Sequence, residues 1–210
     1  TFAVSPMRDT LNVVQQRLFD AALTILGAPV WVPVMLIAAA ALAIELRGNP
    51  FYLQTRVGLG GRAFTMVKLR TMRHAPPGAE DQYPVDDFST FVFAPPDRPN
   101  PRIPRLGAIA RKTSIDELPN LLNVLKGEMA LVGPRPEIPG IVAQYPPEYH
   151  RRHAVRPGIA GLAQCSGRSD LTYDEIVTYD LRYVDSHSVL NDLQILARTF
   201  LQVLTGSGAR

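Results

Sequence analysis

Cysteine is almost absent from this chain of 210 residues, and the single Cys165 excludes an intrachain disulfide. That usage fits a reducing, cytosolic setting. The four histidines are scattered, and no His/Cys cluster has the spacing of a zinc site. A phosphate-binding loop of the form G-x-x-x-x-G-K-S/T is also missing. Aromatic residues make up only 8% and do not interleave with a basic stretch, which argues against nucleic-acid binding.

Positive charge is in modest excess. Lys and Arg number 22 against 19 Asp and Glu, which gives a net charge of +3 and a pI of about 9.2. A basic balance fits anionic partners such as membrane headgroups or phosphorylated substrates. Apolar residues make up 46%, so a sizeable core is available even if some of them contact lipid.

Charge is wholly missing from residues 21–44, a run of 24 residues. As an α-helix this run would rise about 36 Å, and the hydrocarbon core of a bilayer is about 30 Å thick. The run is too long for a secretory signal peptide. A buried helix of a soluble domain is the plainer alternative, but few such domains contain so long an uncharged run. We therefore predict a membrane segment.

Two features of this run favour a bent, re-entrant helix over a straight span. Pro29 and Pro33 lie near its middle, where each removes a backbone donor and favours a kink. Both flanks are basic, since Arg8 and Arg17 precede the run and six Lys or Arg residues follow it between positions 47 and 73. The positive-inside rule expects one basic flank. A helix that returns to the same membrane face satisfies both, although real spans also tolerate proline.

A small β-hairpin is predicted next. Residues 51–57 (FYLQTRV) and 63–69 (AFTMVKL) have the alternation and residue types of strands, and a glycine-rich turn separates them. Four basic residues would lie on or beside this hairpin: Arg56, Arg62, Lys68 and Arg70. They are either a solvated edge that limits aggregation or a cationic surface for headgroups or phosphate, and the sequence does not decide between the two.

The rest of the chain is predicted to be loop and helix. Residues 74–104 contain eight prolines and are predicted as loop, and the glycine-rich residues 155–167 as turns or irregular extended chain. The final helix is amphipathic, so it would pack on the core or lie on the membrane. Helices are predicted at 9–20, at 137–155 in one or two short pieces broken at Pro146-Pro147, at 172–184 with Asp170 or Thr172 as cap, and at 186–204.

Two adjacent carboxylates, Asp116 and Glu117, stand near the start of a further predicted helix that ends at Gly127, a residue suited to C-capping. Ser114 and Glu117 match a capping box, although Pro119 would also allow the helix to start at Asp116. At a helix N-terminus the dipole favours an ionised carboxylate and a nearby phosphate. Taken alone, the two residues are more often a helix cap than a catalytic pair.

Arginines around this stretch suggest a second interpretation. Arg111 precedes the carboxylates, Arg135 is held in the rigid turn Gly133–Pro136, Arg168 follows the glycine-rich loop, and Asp180 lies on another helix. Guanidinium groups match phosphate geometry, and Mg²⁺ is usually held by one or two carboxylates plus substrate phosphates. An aspartate that attacks phosphorus would give an acyl phosphate. The sequence therefore predicts phosphate chemistry with Mg²⁺.

A set of ordered motifs resembles the bacterial sugar transferase family, whose members are monotopic phosphoglycosyl transferases. The resemblance extends from about residue 17 to 206, and the length and order of the motifs make it specific. The motifs are RLFD (17–20), the proline-broken apolar run, QTRVGLGGRAFTMVKLRTM (54–72), SIDELPNLLNVLKGEMALVGPRPE (114–137), RPGIAGLAQCSGR (156–168) and YDLRYV…S…NDLQIL…T (179–199).

The resemblance implies a Mg²⁺-dependent, ping-pong reaction. A sugar-1-phosphate would pass from a UDP-sugar to polyprenyl (undecaprenyl) phosphate with release of UMP, which initiates polysaccharide or glycoconjugate synthesis. Asp116 would be the nucleophile, and Glu117 would complete the catalytic dyad and help to hold the metal. Pro33, with help from Pro29, would be the membrane hinge. Substrate-binding roles would fall to Lys68, Arg70, Arg111, Arg135, Arg168 and Asp180.

The predicted fold is α+β and mostly helical, with a re-entrant membrane helix, a small β-hairpin, a helical catalytic core and a C-terminal amphipathic helix. Residues 1–50 would form the anchor, and 51–210 the membrane-associated catalytic domain on the cytosolic face of the bacterial inner membrane. Expected partners are a UDP-sugar, polyprenyl phosphate and membrane lipids, and not nucleic acid. The sequence leaves the sugar and the oligomeric state open, and a homo-oligomer is one alternative.

Two other functions stay open on the residues alone. A Mg²⁺-dependent membrane phosphodiesterase or phosphatase could use the same carboxylates and arginines to hydrolyse a phosphoester. A non-catalytic membrane scaffold could use Asp116 and Glu117 merely as a helix cap.

Overall fold

The computed structural model describes residues 6–74, 85, 87–92, 100–167 and 171–205. Short 3₁₀ segments occur at Leu59–Gly61, Ile115–Glu117 and Pro147–Ala154. The helices and strands follow in this order: α1 (Pro6–Leu46), β1 (Phe51–Val57), β2 (Ala63–Leu69), α2 (Arg105–Lys112), α3 (Asn120–Lys126), β3 (Ala130–Val132), α4 (Pro139–Val142), β4 (Gly158–Ala160), α5 (Leu162–Ser166), α6 (Tyr173–Ser186) and α7 (Val189–Thr205).

The mostly helical α+β class and the hairpin are confirmed. Strands β1 and β2 pair antiparallel with Phe51 opposite Leu69, as the alternation predicts. A second sheet, in which β3 pairs parallel with β4, was not predicted. The prediction of turns or irregular extended chain over 155–167 is wrong at 158–160 and 162–166, where β4 and α5 lie. Three-residue strands carry too little alternation to be recognised from a sequence, and only their partner across the fold defines them.

Helix α1 joins two segments that the sequence analysis treated separately. It runs unbroken from Pro6 to Leu46 and contains both Pro29 and Pro33. Two side chains hydrogen-bond to backbone carbonyls of this helix. The Trp31 indole N–H donates to the Thr24 carbonyl at 2.8 Å, and the Thr24 hydroxyl donates to the Asp20 carbonyl at 2.7 Å. A threonine hydroxyl that bonds to the carbonyl four residues earlier often bends a helix.

Helix α1 buries one stripe of side chains and exposes large apolar side chains on its opposite side. The first half of the buried stripe is polar and its second half is apolar, and its members recur at helical spacing: Gln16, Asp20, Thr24, Met35, Ala39 and Leu42. The opposite side exposes large apolar residues, among them Leu18, Leu26, Val30, Ile37 and Ile44. Within the described residues, the part of this helix from Val13 to Leu46 is the one segment long and apolar enough to cross a membrane.

A buried polar network joins α1 to the last two helices. The Gln16 amide donates to the Tyr183 hydroxyl at 3.0 Å and to an Asp192 carboxylate oxygen at 2.8 Å. Tyr183 in turn lies 2.8 Å from the other carboxylate oxygen and 3.0 Å from the Val132 carbonyl oxygen of β3. The first half of α1 is therefore tied to α6, α7 and β3.

Helix α7 does not use its most apolar stripe for packing. Asp192 and Ile195 are buried, whereas four large apolar side chains face outward: Leu190, Leu193, Phe200 and Leu201. The helix was predicted from residue 186 and begins at Val189. The Gln16–Tyr183–Asp192 network determines which face of α7 packs inward. The hydrophobic pattern of the sequence does not reveal this network.

Asn123 fixes α3 against the open edge of β2. Its side-chain oxygen accepts the Val67 backbone N–H at 3.2 Å, and its side-chain nitrogen donates to the Thr65 carbonyl at 2.7 Å. Because Asn123 is fully buried, these bonds replace the strand partner that the edge of β2 otherwise lacks. They set the position of α3, and of the turn that precedes it, relative to the hairpin.

We expect Asn123→Ala to lower the free energy of unfolding by about 2–3 kcal/mol, since two backbone groups of β2 lose their partners and a fully buried side chain is removed. Urea unfolding of the detergent-solubilised chain, followed by circular dichroism, measures the change. Leu122→Ala on the same helix is the control, because Leu122 is largely exposed and its loss should cost about 1 kcal/mol or less. Equal losses for the two variants would contradict this role of Asn123.

Candidate active site

Asp116 and Glu117 lie in the 3₁₀ turn Ile115–Glu117, between α2 and α3. Ser114 adopts a left-handed conformation with φ 57°, and its side chain makes no capping hydrogen bond. The predicted capping box of Ser114 and Glu117 is therefore wrong. The Glu117 carboxylate instead pairs with two cations, which form stronger bonds than a backbone N–H does. A true capping box joins Thr172 and Glu175 at the start of α6, as the cap prediction allowed.

One carboxylate oxygen of Glu117 accepts hydrogen bonds from two cationic side chains. Lys68 Nζ lies 2.8 Å from Glu117 Oε1, and Arg135 Nη2 lies 3.0 Å from the same atom. The Glu117 side chain is only 16% exposed. Burial raises the pKa of Glu117, but the charges of Arg135 and Lys68 outweigh burial and hold the pKa at about 2. Glu117 is therefore ionised at any physiological pH.

Asp116 has a different environment although it is the adjacent residue. Among the described residues it has no hydrogen-bond or ion-pair partner. Burial and the charge of Glu117 raise the pKa of Asp116 to about 6, although three nearby cations oppose the shift: Lys68, Arg111 and Arg135. At neutral pH the Asp116 carboxylate is thus mostly ionised, unpaired and more basic than an ordinary aspartate.

The turn Gly133–Pro136 positions Arg135 through backbone bonds to β4. The Gly133 N–H donates to the Ala160 carbonyl and the Gly158 N–H donates to the Pro134 carbonyl, both at 2.9 Å. A Cβ on Gly133 would lie 2.3 Å from the Arg156 carbonyl oxygen, so only glycine fits at this crossing. The Arg135 side chain is 40% exposed, which leaves it able to contact a ligand while it pairs with Glu117.

Two further arginines donate hydrogen bonds to backbone carbonyls of the turn Gly133–Pro136. Arg56 Nη1 donates to the Pro136 carbonyl at 3.0 Å, beside the backbone bond from Val57 N to the Glu137 carbonyl at 2.9 Å. Arg152 Nη2 donates to the Arg135 carbonyl at 2.9 Å and to Asp180 Oδ2 at 2.5 Å. The other terminal nitrogen of Arg152 donates to the hydroxyls of Tyr145 and Tyr173. Arg152 therefore positions Arg135.

Asp180 was predicted to bind substrate, and the structure does not place it where a substrate could reach it. It is 1% exposed, and its carboxylate pairs with the equally buried Arg152. Asp180 acts on the site only through Arg152 and the backbone of Arg135.

The other predicted residues are placed as follows. Arg111 is exposed at the end of α2 and contacts Met72, with its Nη1 3.2 Å from the sulfur. Arg70 follows β2, and its Nη1 lies 2.6 Å from His74 Nε2. The structure thus brings Lys68, Arg111 and Arg135 to the dyad. Arg168 lies outside the described residues.

The sequence analysis did not identify Asn123 or Arg152 as residues that position the site. It left Arg56 open between a solvated edge and a cationic surface. Arg151 and Arg152 are adjacent and chemically identical, yet Arg151 pairs with Asp185 at the surface, where both side chains are more than half exposed, and Arg152 is buried. No local pattern separates the two residues. The proximity of Arg56 to the turn was equally hidden, because 80 residues separate Arg56 from Pro136.

The carboxylates fit a magnesium ion that the substrate helps to hold. Within the described part of the chain, no three His, Cys, Asp or Glu side chains are grouped as a metal site. Both cations bind Glu117 Oε1, so Glu117 Oε2 and the Asp116 carboxylate remain as oxygen ligands. One or two carboxylates plus substrate phosphates is the usual arrangement for Mg²⁺.

Comparisons with known proteins agree with the motifs. The chain matches the family described as Bacterial sugar transferase over residues 11–206. It is 39% identical over 204 residues to the galactosyl transferase CpsE of Streptococcus agalactiae serotype III, which covers 95% of this chain and 44% of that protein. It is 37% identical over 203 residues to the UDP-glucose:undecaprenyl-phosphate glucose-1-phosphate transferase of Caulobacter vibrioides, which covers 93% of this chain and 72% of that protein.

A third relative acts on a different sugar. The UDP-N-acetylgalactosamine-undecaprenyl-phosphate N-acetylgalactosaminephosphotransferase of Aeromonas hydrophila is 35% identical over 201 residues, 93% of this chain and 45% of that protein. The chain thus spans less than half the length of two of these three relatives.

We expect Asp116→Asn to raise the free energy of unfolding by about 1–2 kcal/mol at pH 8. The folded chain holds the pKa of Asp116 above its ordinary value, so ionisation of Asp116 destabilises the fold above about pH 4. The difference in the free energy of unfolding between the variant and the natural chain should shrink as the pH falls from 8 to 5. Thermal unfolding across this range measures it.

Glu117→Gln is the matched control, and its effect should have the opposite sign. The pKa of Glu117 is held low, so its charge stabilises the fold at neutral pH, and that stabilisation is lost as the pH falls toward 2. A loss of stability in Asp116→Asn at pH 8 would contradict the raised pKa of Asp116 and would show that its charge stabilises the fold.

We expect Asp180→Asn to lower the free energy of unfolding by about 3 kcal/mol, because it leaves the buried Arg152 charge without its partner. Asp185→Asn is the matched control, since it breaks the exposed pair with Arg151 and should cost less than about 1 kcal/mol. Urea unfolding of both variants gives the comparison. Similar losses in the two variants would show that the Arg152 network does not stabilise the fold.

Proposed function

The chain belongs to the bacterial sugar transferase family, and from that premise we propose that it transfers a sugar-1-phosphate from a UDP-sugar to undecaprenyl phosphate. UMP is released, and the product initiates the synthesis of a polysaccharide. The relatives' names supply this reaction type. The observation that carries the proposal is the unpaired Asp116 carboxylate, which lies beside three cations while its neighbour Glu117 is locked in ion pairs.

Asp116 is the proposed nucleophile of the first half-reaction. Its ionised oxygen attacks the phosphorus that bears the sugar, a bond from Asp116 to phosphorus forms, and UMP leaves with the electron pair of the broken P–O bond. A pKa of about 6 keeps Asp116 mostly ionised at neutral pH and makes it a better nucleophile than an ordinary aspartate. In the second half-reaction a phosphate oxygen of the lipid attacks the same phosphorus, and the Asp116 carboxylate leaves.

The cations hold the phosphate that is transferred. Lys68 and Arg135 are fixed by Glu117 on the side of the dyad, and Arg111 projects from the end of α2 near Asp116. These groups neutralise phosphate oxygens without a change of shape during the reaction, which is the basis of electrostatic catalysis. Asp116 and Glu117 Oε2 would hold Mg²⁺, and the ion would supply further neutralisation of the diphosphate charge.

We propose that α1 enters the membrane from one face and does not cross it. Both halves of the helix contact the same domain. Arg17 donates to the Val124 and Leu125 carbonyls at the end of α3, and Leu42 packs with Leu69 of β2. A helix that crossed the bilayer would put about 30 Å of hydrocarbon between such contacts.

Pro29 and Pro33 lie between the two contact regions of α1 and are the proposed hinge. The large apolar residues on the outer side of α1 would face lipid. The catalytic domain would then lie on the cytosolic face of the inner membrane, where it would meet both substrates.

A covalent adduct tests the proposal. Incubation of the full chain with a panel of UDP-sugars and Mg²⁺, without lipid acceptor, should add one sugar-phosphate to the intact mass and release one equivalent of UMP. Undecaprenyl phosphate should then discharge the adduct. Asp116→Asn should form no adduct and release UMP at least about 10³-fold more slowly, a loss of about 4 kcal/mol of transition-state stabilisation.

Asp185→Asn is the control for this experiment, because it removes an exposed carboxylate far from the dyad in sequence, and it should react like the natural chain. Continuous release of sugar phosphate without acceptor would indicate a hydrolase instead. If no UDP-sugar gives an adduct or UMP, the covalent transfer mechanism is wrong.

A further inference from the structure

One edge of the Arg70 guanidinium has no hydrogen-bond partner among the residues that the structure describes. Arg70 Nη1 contacts His74 Nε2 at 2.6 Å. Its Nε and Nη2 are buried, and among the described residues neither has a hydrogen-bond partner. These two N–H groups form the side of the guanidinium that binds two phosphate oxygens at once. Buried donors of a charged group are costly when unpaired, which makes these two N–H groups candidates for binding an anion.

The carboxylates of Glu45 and Glu117 have other partners. Glu45, in the last turn of α1, accepts the Leu106 backbone N–H with both oxygens at 3.1 Å. Glu117 pairs with Lys68 and Arg135 and not with Arg70. Within the part of the chain that the structure describes, the positive charge of Arg70 therefore remains open to an anion.

The position of Arg70 indicates which anion it binds. Arg70 follows Lys68 by two residues along the same extended chain, since its N–H still bonds across the hairpin to the Pro50 carbonyl. The two side chains therefore share a face of the hairpin, with their Cα atoms about 7 Å apart. Lys68 contacts the dyad, whereas Arg70 Nη2 lies against Gly48, just beyond the end of α1.

We propose that Arg70 binds the phosphate of the polyprenyl phosphate acceptor. This inference rests on the proposed function and assigns the cations of that site to different substrates. Lys68, Arg111 and Arg135 hold the sugar-bearing phosphate at Asp116, and Arg70 holds the lipid phosphate between the dyad and the end of the membrane helix. Arg70 is partly exposed, so rotation of its long side chain brings the two free donors to the arriving phosphate.

The two half-reactions separate the roles of these cations. In Arg70→Ala the single-turnover rate of adduct formation from the UDP-sugar should stay within twofold of the natural chain. The concentration of undecaprenyl phosphate that gives half-maximal discharge of the adduct should rise by about tenfold or more. Arg70→Lys should recover only part of this loss, since an ammonium group cannot bind two oxygens in the fork geometry.

Arg73→Ala is the matched control, because Arg73 is an exposed arginine three residues further along and is not part of the proposed site. Both half-reactions should be unchanged in this variant. A slower first half-reaction in Arg70→Ala, or an unchanged requirement for lipid, overturns the assignment. If the natural chain itself forms no adduct, the proposed function fails, which is a different result.

A structural role for Arg70 makes a different prediction. Arg70→Met keeps the length of the side chain and removes only the charge and the donors, and its melting temperature should not fall below that of the natural chain. A lower melting temperature, with both half-reactions slowed together, would show that Arg70 serves the end of α1 rather than the acceptor.

Phospholipid headgroups carry the same phosphate chemistry, and vesicle flotation distinguishes them from the acceptor. Arg70→Ala should bind phosphatidylcholine vesicles with and without phosphatidylglycerol as well as the natural chain does. Loss of binding to the anionic vesicles, with an unchanged lipid requirement in detergent, would assign Arg70 to bulk headgroups and overturn the proposal.

Discussion

The site depends on one buried interaction, in which Glu117 accepts from both Lys68 and Arg135. Three distant segments of the chain meet there: the end of β2, the turn before α3 and the turn after β3. Because Glu117 takes the direct bonds of both cations, Asp116 is left ionisable without a partner. Two adjacent carboxylates thus acquire pKa values of about 2 and about 6, which suits one for a structural charge and the other for the proposed attack on phosphorus.

Helix α1 contacts the elements that carry the dyad. Arg17 of α1 donates to the last carbonyls of α3, and the dyad immediately precedes that helix. Leu42, near the other end of α1, packs against β2, the strand that bears Lys68. Both halves of α1 therefore contact elements that build the site, which fits the proposed transfer between a soluble and a lipid-borne substrate.

The sequence predicted much of this arrangement from local chemistry. The uncharged run, the hairpin, the helix cap at Gly127 and the rigid turn around Arg135 follow from composition and turn residues, and the structure confirms them. The motif set identified the family. The prediction of a capping box at Ser114 is wrong, because Glu117 binds Lys68 and Arg135 instead. A local sequence pattern contains no information about such contacts between distant segments.

The sequence by itself determined the kinds of element, the family and the residues that carry charge. Only the tertiary structure decided how those charges pair. It buried Arg152 and exposed Arg151, enclosed Asp180 in an ion pair with Arg152, and left two donors of Arg70 without a partner among the residues it describes. The physical reason is that burial and ion pairing depend on contacts between distant segments, whereas propensity, capping and hydrophobic period act over a few neighbouring residues.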